Sequence, residues 1–208
     1  MKLYFSPGAC SMAPHIVMQE LGMAYELERV NVREKTIASG SFLSINSKGQ
    51  VPALKLDSNE ILTEGTVIMQ YLADQKPEMN LVPKWGTQDR YRAMEWLNFI
   101  STEIHKSYTP FFVAERYVAD EKVRAEYLNN CKTALLAKIK WANEQMTGKD
   151  YLLGKNFTIC DAYLFTCLSW SGHVGVDLSP FKNITAWNAR VYARKGVQAA
   201  MKAEGLLK

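Results

Sequence analysis

Cys10 stands at a position where a thiol would be reactive. It follows a β-prone run at residues 2–5 and a Pro7-Gly8 turn, and it precedes an apolar helical pattern over residues 11–22. The unpaired N–H groups and the dipole at the start of a helix favour an anion, so they lower the pKa of a thiol placed there. The position predicts a nucleophilic cysteine. The alternative is a buried structural cysteine at a helix start.

Ser11, the next residue, has two interpretations. Its hydroxyl could cap the helix, or it could donate a hydrogen bond to a sulfur anion at the same place. Position 13 is alanine, so the CxxC spacing of dithiol oxidoreductases is absent. A disulfide formed by Cys10 would therefore take its second sulfur from a small thiol.

Val51-Pro52 comes just before a predicted strand at residues 53–57. Proline begins strands readily because it has no N–H to donate, and a trans peptide bond is the commoner state. A cis bond would instead turn the backbone N–H and C=O of Val51 outward, where they could pair with an extended peptide ligand.

The segment Thr63-Glu64-Gly65-Thr66 opens another predicted helix, at residues 64–75. A helix N-terminus can bind an anion, which indicates a second candidate anion site in the same half of the chain. Glu64 could instead complement the helix dipole, or it could pair with the ammonium group of a ligand.

Asn98, Thr102 and His105 recur at i, i+4 and i+7 and form a polar stripe on a predicted long helix, residues 88–117. A solvated stripe usually carries Lys and Glu, whereas this one carries uncharged hydrogen-bonding groups and a histidine. That composition is typical of a cleft wall, with exposure without a role as the alternative. His105 is the predicted proton carrier, because imidazole titrates near neutral pH.

Composition excludes several classes of protein. The chain has 208 residues, 48% of them hydrophobic and 22% charged, which is typical of a globular protein and not of a disordered one. Its net charge of +4 is uneven, with two more acidic than basic residues over 1–80 and six more basic than acidic residues over 81–208. We interpret this as a solvated basic face and expect no nucleic-acid partner. No stretch approaches the roughly 20 apolar residues of a membrane span, so no membrane partner is expected.

The N-terminus has no apolar run long enough for a secretory signal, which predicts a cytoplasmic protein with free thiols. No CxxC pair occurs and the cysteine spacings fit no zinc site, so no metal is expected. Cys131, Cys160 and Cys167 lie in apolar helical patterns and are predicted to be small core residues. His15 and His173 are predicted to be structural or exposed.

The elements that would position these residues fall into two groups. Over residues 1–80 we predict a βαβ unit, a short helix within 34–46 and a ββα unit, with strands at 2–5, 25–32, 53–57 and 60–62. Residues 81–87 are predicted to form a linker. Residues 88–208 are predicted to be helical, with helices at 88–117 (bent at Pro110), around 123–139, and at 158–171, 181–193 and 196–204. The pattern predicts an α/β domain followed by an all-helical domain.

Several segments, in one order, resemble the cytosolic glutathione transferases: Tyr4–Ser11 (YFSPGACS), Pro14–Ile16, Gly49–Leu54 (GQVPAL), Leu62–Gly65 (LTEG), Tyr71-Leu72 and Phe157–Ala162 (FTICDA). Cys10 together with His105-Lys106 is similar to the bacterial beta class. The resemblance implies a thioredoxin-like N-terminal domain at 1–80, an all-helical C-terminal domain at 88–208 and a homodimer.

The resemblance also implies a glutathione site in the N-terminal domain. Cys10 would lie beside the glutathione sulfur, often as a mixed disulfide, with Ser11 as its neighbour. Lys35 would bind the glycyl carboxylate. The backbone of Val51, before a cis Pro52, would pair with the cysteinyl unit.

The γ-glutamyl end would bind at Glu64 and Gly65. The helical domain would add His105 near the thiol and, from the partner subunit, Asn98, Thr102 and Glu103. Thr158 and Asp161 match the family's capping box, which is a folding element.

Two positions depart from the family pattern. Many relatives carry serine after the glutamate, whereas Gly65 has no hydroxyl, so the γ-glutamyl carboxylate would need backbone N–H groups or Thr66. Position 5 is Phe and position 4 is Tyr, which disfavours the tyrosine mechanism of other classes and favours the cysteine.

The sequence thus predicts a cytoplasmic detoxification enzyme that binds glutathione as co-substrate and adds its thiol to a small hydrophobic electrophile. Glutathione-dependent thiol–disulfide exchange or reductive dehalogenation through Cys10 is one alternative. A non-catalytic ligand-binding or interaction protein on the same fold is another. Cys10, Lys35, Glu64 and His105 argue against it, because a pure binder would not need all four.

Overall fold

A four-stranded mixed sheet forms the centre of the N-terminal half. The structure, a computed structural model, describes residues 1–207. The first elements in chain order are β1 (Lys2–Phe5), α1 (Met12–Glu20), β2 (Glu26–Arg29), β3 (Thr36–Ile37), β4 (Gly40–Ser41), β5 (Ala53–Lys55), β6 (Ile61–Thr63) and α2 (Gly65–Asp74). The sheet order is β2-β1-β5-β6, with β1 parallel to β2 and antiparallel to β5, and β5 antiparallel to β6. The predicted βαβ and ββα units are confirmed.

The segment 34–46, where a short helix was predicted, is only partly helical. β3 and β4 pair there as a hairpin, and only a 3₁₀ turn at Phe42–Ser44 is helical. Lys35 and Gly40 have positive φ angles, 60° and 138°, which an α-helix cannot contain. Phe42 is fully buried and its ring centroid lies 5.8 Å from that of Tyr4, so the segment is anchored to the sheet.

Helices make up the second half of the chain. They are α3 (Gln88–Phe99), α4 (Lys106–Phe112), α5 (Glu121–Gln145), α6 (Ile159–Leu168), α7 (Lys182–Tyr192) and α8 (Lys195–Ala203). The long helix predicted at 88–117 differs in two respects: residues 100–105 form a π-helix between α3 and α4, and α4 ends at Phe112. Pro110 lies in the last turn of α4, where its missing N–H and its ring weaken the helix. The other predicted helices are confirmed, with α5 longer at both ends.

The two halves share a core. α1 packs against α6 and α8, so the first helix of the sheet half lies directly on the helical half. Leu81 and Val82, in the segment predicted as a linker, are buried, and the Leu81 carbonyl accepts a hydrogen bond from Ile159 N–H at 2.9 Å. Arg90 of α3 donates two hydrogen bonds, of 2.8 and 2.9 Å, to the Asp74 carboxylate of α2. These contacts fix the two halves relative to one another. Within residues 1–207, no helix has both the length and the apolar character needed to cross a membrane.

Candidate functional site

A pocket of about 320 Å³ lies between the two halves, a volume within the range of small-molecule sites. From the sheet half it is lined by residues that include Cys10, Lys35, Val51, Pro52, Glu64 and Gly65. From the helical half it is lined by Ser101, His105, Lys106, Thr109 and Tyr163. The structure therefore brings most of the predicted site residues into one pocket.

Cys10 is half-buried in the turn before α1. Its thiol donates a hydrogen bond to the Val51 carbonyl at 3.2 Å. Burial raises the pKa of the thiol to about 11, although the backbone N–H groups of Cys10 and Ser11 and the charge of Lys106 act in the opposite direction. The predicted lowering of this pKa is wrong, because desolvation of the thiolate outweighs the helix N-terminus. At neutral pH Cys10 is a protonated hydrogen-bond donor.

The Ser11 hydroxyl stabilises the turn before α1 and is not hydrogen-bonded to the Cys10 sulfur. It precedes α1 as its N-cap residue, but it is fully buried and its hydroxyl caps no helical N–H. The hydroxyl donates to the Ser6 carbonyl at 3.2 Å and accepts from the Ser6 N–H at 3.0 Å. Both predicted roles of this hydroxyl, helix cap and donor to a sulfur anion, are therefore corrected. Of the groups of Ser11, the backbone N–H and not the hydroxyl favours a thiolate at Cys10.

The Val51–Pro52 peptide bond is cis, as the resemblance implies. Pro52 is buried and Val51 is half-buried at the pocket wall. Since the Val51 carbonyl accepts the Cys10 thiol hydrogen bond, the main chain of this loop and the thiol meet at the same place.

Glu64 and Gly65 lie at the start of α2, as predicted. Glu64 has a φ of 70° and a ψ of 113°, a conformation that is rare for a residue with a side chain, and its carboxylate pairs with Lys48. Lys48 Nζ also donates to Thr63 Oγ1 at 2.9 Å. Backbone outliers of this kind cluster at ligand sites. The Glu64 side chain is 63% exposed, so its carboxylate is accessible to an ammonium group from outside the chain.

Lys35 reaches the same pocket from the loop before β3. Its Nζ donates to the Gly49 carbonyl at 2.7 Å. Gly49 has a φ of +62°, and a Cβ there would come within 2.9 Å of Lys35 Cδ, so glycine lets the lysine side chain cross this loop closely. The ammonium is thereby held where a ligand carboxylate could accept from it.

His105 ends the π-helix and lines the pocket from the helical half. Its Nδ1 lies 2.8 Å from the Tyr163 hydroxyl, and its ring packs against Trp170 with the centroids 5.1 Å apart. Burial, and secondly the charge of Lys106, lower the pKa of His105 to about 4. The imidazole is therefore neutral at physiological pH, and the predicted role of a proton carrier near neutral pH is wrong.

Asn98, Thr102 and Glu103 do not line the pocket of their own chain within residues 1–207. Asn98 and Thr102 are exposed, and the Thr102 hydroxyl donates to the Asn98 carbonyl at 3.0 Å. Glu103 pairs with Lys138 at 2.9 Å. Asn98 and Thr102 therefore do not join His105 in this pocket, where Ser101 lies on the helical side instead, and their approach to glutathione from the partner subunit stays a prediction.

On the helical side of the pocket, sequence reasoning missed four lining residues: Ser101, Lys106, Thr109 and Tyr163. Ser101 and Thr109 lie four residues before and after His105, so a search of the helix face centred on His105 would have found them. Tyr163 has no local signal, because it lies on an apolar helix 58 residues away from His105 in the chain.

The other three cysteines lie outside the pocket. Cys160 and Cys167 are buried, as predicted, and burial raises the pKa of both thiols. Cys131 is partly exposed, so the prediction of a core residue is wrong there.

His15 and His173 are also separate from the pocket. His15 is fully buried, with its ring nitrogens 2.8 Å from the Glu204 carboxylate and 2.8 Å from the Tyr25 hydroxyl, which confirms a structural role. His173 is exposed. Among residues 1–207, no group of three or more His, Cys, Asp or Glu side chains is arranged to hold a metal ion.

Comparison with known proteins identifies the family. The family model of the glutathione S-transferase N-terminal domain matches residues 1–74, and that of the C-terminal domain matches residues 102–195. Glutathione S-transferase GstA of Escherichia coli O157:H7 is 41% identical over 207 residues, which are 99% of this chain and 100% of that protein. The structure of a bacterial beta class glutathione S-transferase from Sphingomonas chungbukensis is 40% identical, with a TM-score of 0.92 and 100% of both chains covered. A sphingomonad glutathione S-transferase complexed with glutathione is 36% identical, with a TM-score of 0.91 over 100% of both chains.

The matches extend over both halves of the chain and over the pocket between them. The thioredoxin-like half, the helical half and their order are those that the sequence predicted. The chain therefore belongs to the glutathione S-transferase family of enzymes and is similar along its whole length to the bacterial beta class.

Proposed function

We propose that this enzyme conjugates the glutathione thiol to small hydrophobic electrophiles, as a cytoplasmic homodimer that serves detoxification. The observation that carries the proposal is the pocket between the halves. A cation (Lys35), a carboxylate (Glu64) and a thiol (Cys10) line its sheet side, and His105 lines its helical side. Glutathione has complementary groups: a glycyl carboxylate, a γ-glutamyl ammonium and a central thiol.

Two ion contacts would hold the ends of glutathione. The Lys35 ammonium donates to the neutral Gly49 carbonyl, and a glycyl carboxylate is a stronger, charged acceptor for it. The Glu64 carboxylate pairs with Lys48, and the γ-glutamyl ammonium would take the place of that lysine. In both exchanges the protein group keeps its role: Lys35 stays a hydrogen-bond donor and Glu64 stays the anionic partner of an ammonium group.

Backbone groups would hold the rest of the molecule. The cysteinyl unit would pair with the main chain of Val51. The γ-glutamyl carboxylate would bind at the start of α2, where the first N–H groups of a helix, here those of Gly65 and Thr66, have no partner within the helix. The relative solved in complex with glutathione supports this assignment through its 36% identity over the whole chain.

Cys10 would act as a donor to the glutathione sulfur and not as the nucleophile. A pKa of about 11 leaves roughly one part in 10⁴ of the thiol ionised at pH 7. The glutathione thiol would lose its proton to solvent, and its thiolate would accept hydrogen bonds from the Cys10 thiol, the Ser11 N–H and the neutral His105. The thiolate then forms the C–S bond, and the leaving group departs with the electron pair of the bond that breaks.

Asn98, Thr102 and Glu103 would complete the site of the neighbouring subunit. Asn98 and Thr102 are exposed and lie off the pocket of their own chain, which leaves them available to a second copy. Dimers of this kind are usually symmetric, so each copy would give and receive the same residues. Light scattering should give twice the chain mass of 23.6 kDa, and a fully active monomer would contradict the proposal.

Calorimetry with glutathione and conjugation of a chlorodinitrobenzene test the proposal together. We expect saturable glutathione binding and saturable conjugation. Cys10→Ala should retain binding, because Lys35, Val51 and Glu64 remain, and should lower conjugation only partly. Cys131→Ala, a partly exposed cysteine outside the pocket, is the matched control and should behave as wild type. Binding without conjugation of any electrophile would instead indicate a non-catalytic binder.

Thiol–disulfide exchange or reductive dehalogenation through Cys10 is the second candidate, favoured by the presence of its sulfur in the pocket. In exchange, the Cys10 thiolate would attack the glutathione sulfur of a mixed disulfide, forming a Cys10–glutathione disulfide and releasing the substrate thiolate. A second glutathione thiolate would then restore Cys10 and form glutathione disulfide. Cys10→Ala should abolish this exchange. We rank it second because the raised pKa of Cys10 makes the attacking thiolate scarce at pH 7.

A further inference from the structure

His105 can act on a sulfur atom only through the ring nitrogen that Tyr163 does not contact. Nδ1 of His105 lies 2.8 Å from the Tyr163 hydroxyl. Nε2 has no hydrogen-bond partner among residues 1–207 and keeps access to solvent, while the residue lines the pocket. A neutral imidazole carries one N–H, so the position of that proton decides whether the pocket meets a donor or an acceptor.

Tyr163 has the properties of a donor in this contact. It is 4% exposed, and burial raises the pKa of its phenol, so the oxygen stays protonated throughout the neutral range. An imidazole nitrogen is a better acceptor than a phenol oxygen, so an O–H···N hydrogen bond is favoured over N–H···O. The phenol thus donates to Nδ1 of His105.

The surroundings hold the imidazole ring in this orientation. The ring planes of His105 and Tyr163 are perpendicular, with centroids 5.9 Å apart, and Trp170 packs on the imidazole at 5.1 Å. Ser101 and His105 both belong to the π-helix, and Tyr163 belongs to α6. The contact therefore ties the ring to two elements of the helical half.

We propose that Tyr163 is the positioning residue of His105: by donating to Nδ1 it keeps the imidazole proton on Nε2, which then donates to the sulfur of the bound thiol. The consequence for catalysis rests on the proposed function, whereas the contact itself is a property of the protein alone.

Nitrogen-15 NMR of histidine-labelled protein tests the contact without a substrate. The chain has three histidines, and the His105 signals are those lost in His105→Ala. We expect wild-type His105 to be the Nε2–H tautomer with a hydrogen-bonded Nδ1. Tyr163→Phe should move the Nδ1 resonance to that of a nitrogen without a donor. Tyr108→Phe is the matched control, because it removes a buried hydroxyl of the same half that bonds Ser171 at 2.6 Å.

Kinetics test the consequence. Tyr163→Phe should lower kcat about three- to tenfold while the KM for glutathione stays within about twofold. In the His105→Ala background the same substitution should change kcat by less than about twofold, because no imidazole is left to orient. Tyr108→Phe should keep the wild-type kcat.

Three results would overturn the proposal. They are a wild-type His105 in the Nδ1–H tautomer, an Nδ1 resonance that Tyr163→Phe does not move, and an equal loss of kcat with and without His105. The tautomer of His105 is measured on the wild-type protein, so it tests the proposal even if Tyr163→Phe does not fold. If the wild-type protein conjugates no electrophile, the proposed function fails, while the NMR still decides on the positioning contact.

Discussion

The two sides of the pocket differ in how strongly they are desolvated. The sheet wall includes Cys10, Lys35, Val51, Pro52, Glu64 and Gly65; the helical wall consists of Ser101, His105, Lys106, Thr109 and Tyr163. The Glu64 side chain is 63% exposed, whereas Tyr163 is 4% exposed and burial lowers the pKa of His105 to about 4. Exposed charges suit the charged ends of a ligand, and the desolvated neutral groups of His105 and Tyr163 suit a sulfur anion; Lys106, exposed and charged, is the exception on the helical wall. The difference indicates that the sheet wall binds and the helical wall tunes the chemistry, with Cys10 at the boundary.

The two walls also depend on different parts of the fold. The sheet wall is shaped by local turns, in which Lys35 and Glu64 have positive φ angles of 60° and 70°. The helical wall depends on the packing of α6 under the π-helix, since Tyr163 contacts His105 from that helix. A change that loosens α6 should therefore damage the helical wall first.

Removing the support of α6 should have the largest effect. Asp161 is fully buried and accepts hydrogen bonds of 2.8 to 2.9 Å from the N–H and hydroxyl of Thr158, the N–H of Leu152 and the indole of Trp187. Asp161→Ala leaves these buried donors unpaired and should lower the free energy of unfolding by about 3–5 kcal/mol. Urea denaturation at one protein concentration measures this. Asp161→Asn, which keeps one acceptor oxygen, should lose less, and a loss below about 1 kcal/mol for the alanine variant would contradict the argument.

The second-largest expected effect is the dependence of the Cys10 alkylation rate on pH. Only the thiolate reacts, so with a pKa of about 11 the rate with iodoacetamide should rise about tenfold for each unit between pH 7 and pH 10. Mass spectrometry of the Cys10 peptide after brief pulses measures the rate. The buried Cys160 and Cys167 should stay unlabelled throughout. A rate that levels off near neutral pH would show that the helix N-terminus outweighs burial, as the sequence had predicted.

Lys35→Ala should affect binding and leave the chemistry intact. Lys35 would meet a carboxylate remote from the sulfur, equally in the ground and transition states. Loss of a charge-assisted hydrogen bond should raise the KM for glutathione about ten- to hundredfold with kcat nearly unchanged. Steady-state kinetics separate the two parameters. Lys35→Arg keeps the charge, so its KM for glutathione should lie between those of the wild type and Lys35→Ala. A normal KM with a much lower kcat in Lys35→Ala would contradict a role of Lys35 in binding.

His105→Ala should show the opposite pattern, a lower kcat with an unchanged KM for glutathione. The Cys10 thiol and the Ser11 N–H still stabilise the thiolate, so we expect a loss in kcat of only about tenfold, with the KM for glutathione unchanged. Because the pKa of His105 is about 4, the wild-type kcat should show no ionisation step near pH 6.5. A complete loss of activity here, together with a silent Cys10→Ala, would place the catalytic centre in the helical wall alone.

Sequence patterns predicted the sheet wall better than the helical wall. Cys10, Pro52 and Glu64 lie in turns or at helix starts, where the residues themselves determine the local backbone. The helical wall depends on helix register: Ser101 lines the pocket, whereas Thr102, the residue predicted for this face, is exposed outside it. The contact of Tyr163 joins residues far apart in the chain. The direction of the Cys10 pKa shift could not be predicted from the sequence either, because the burial of the thiol depends on tertiary packing.

Gly65→Ser should have the smallest effect, and it would be a gain. A Cβ on Gly65 would lie 3.6 Å from Pro52 Cγ, an ordinary van der Waals distance, and the φ of Gly65 is not positive, so serine fits. The added hydroxyl would donate to the γ-glutamyl carboxylate at the start of α2, and one net hydrogen bond should lower the KM for glutathione about three- to fivefold with kcat unchanged. Gly65→Ala is the control, since it adds the Cβ without the hydroxyl. An equal gain from alanine would assign the effect to the helix, and no gain from serine would show that the carboxylate binds elsewhere on the sheet wall.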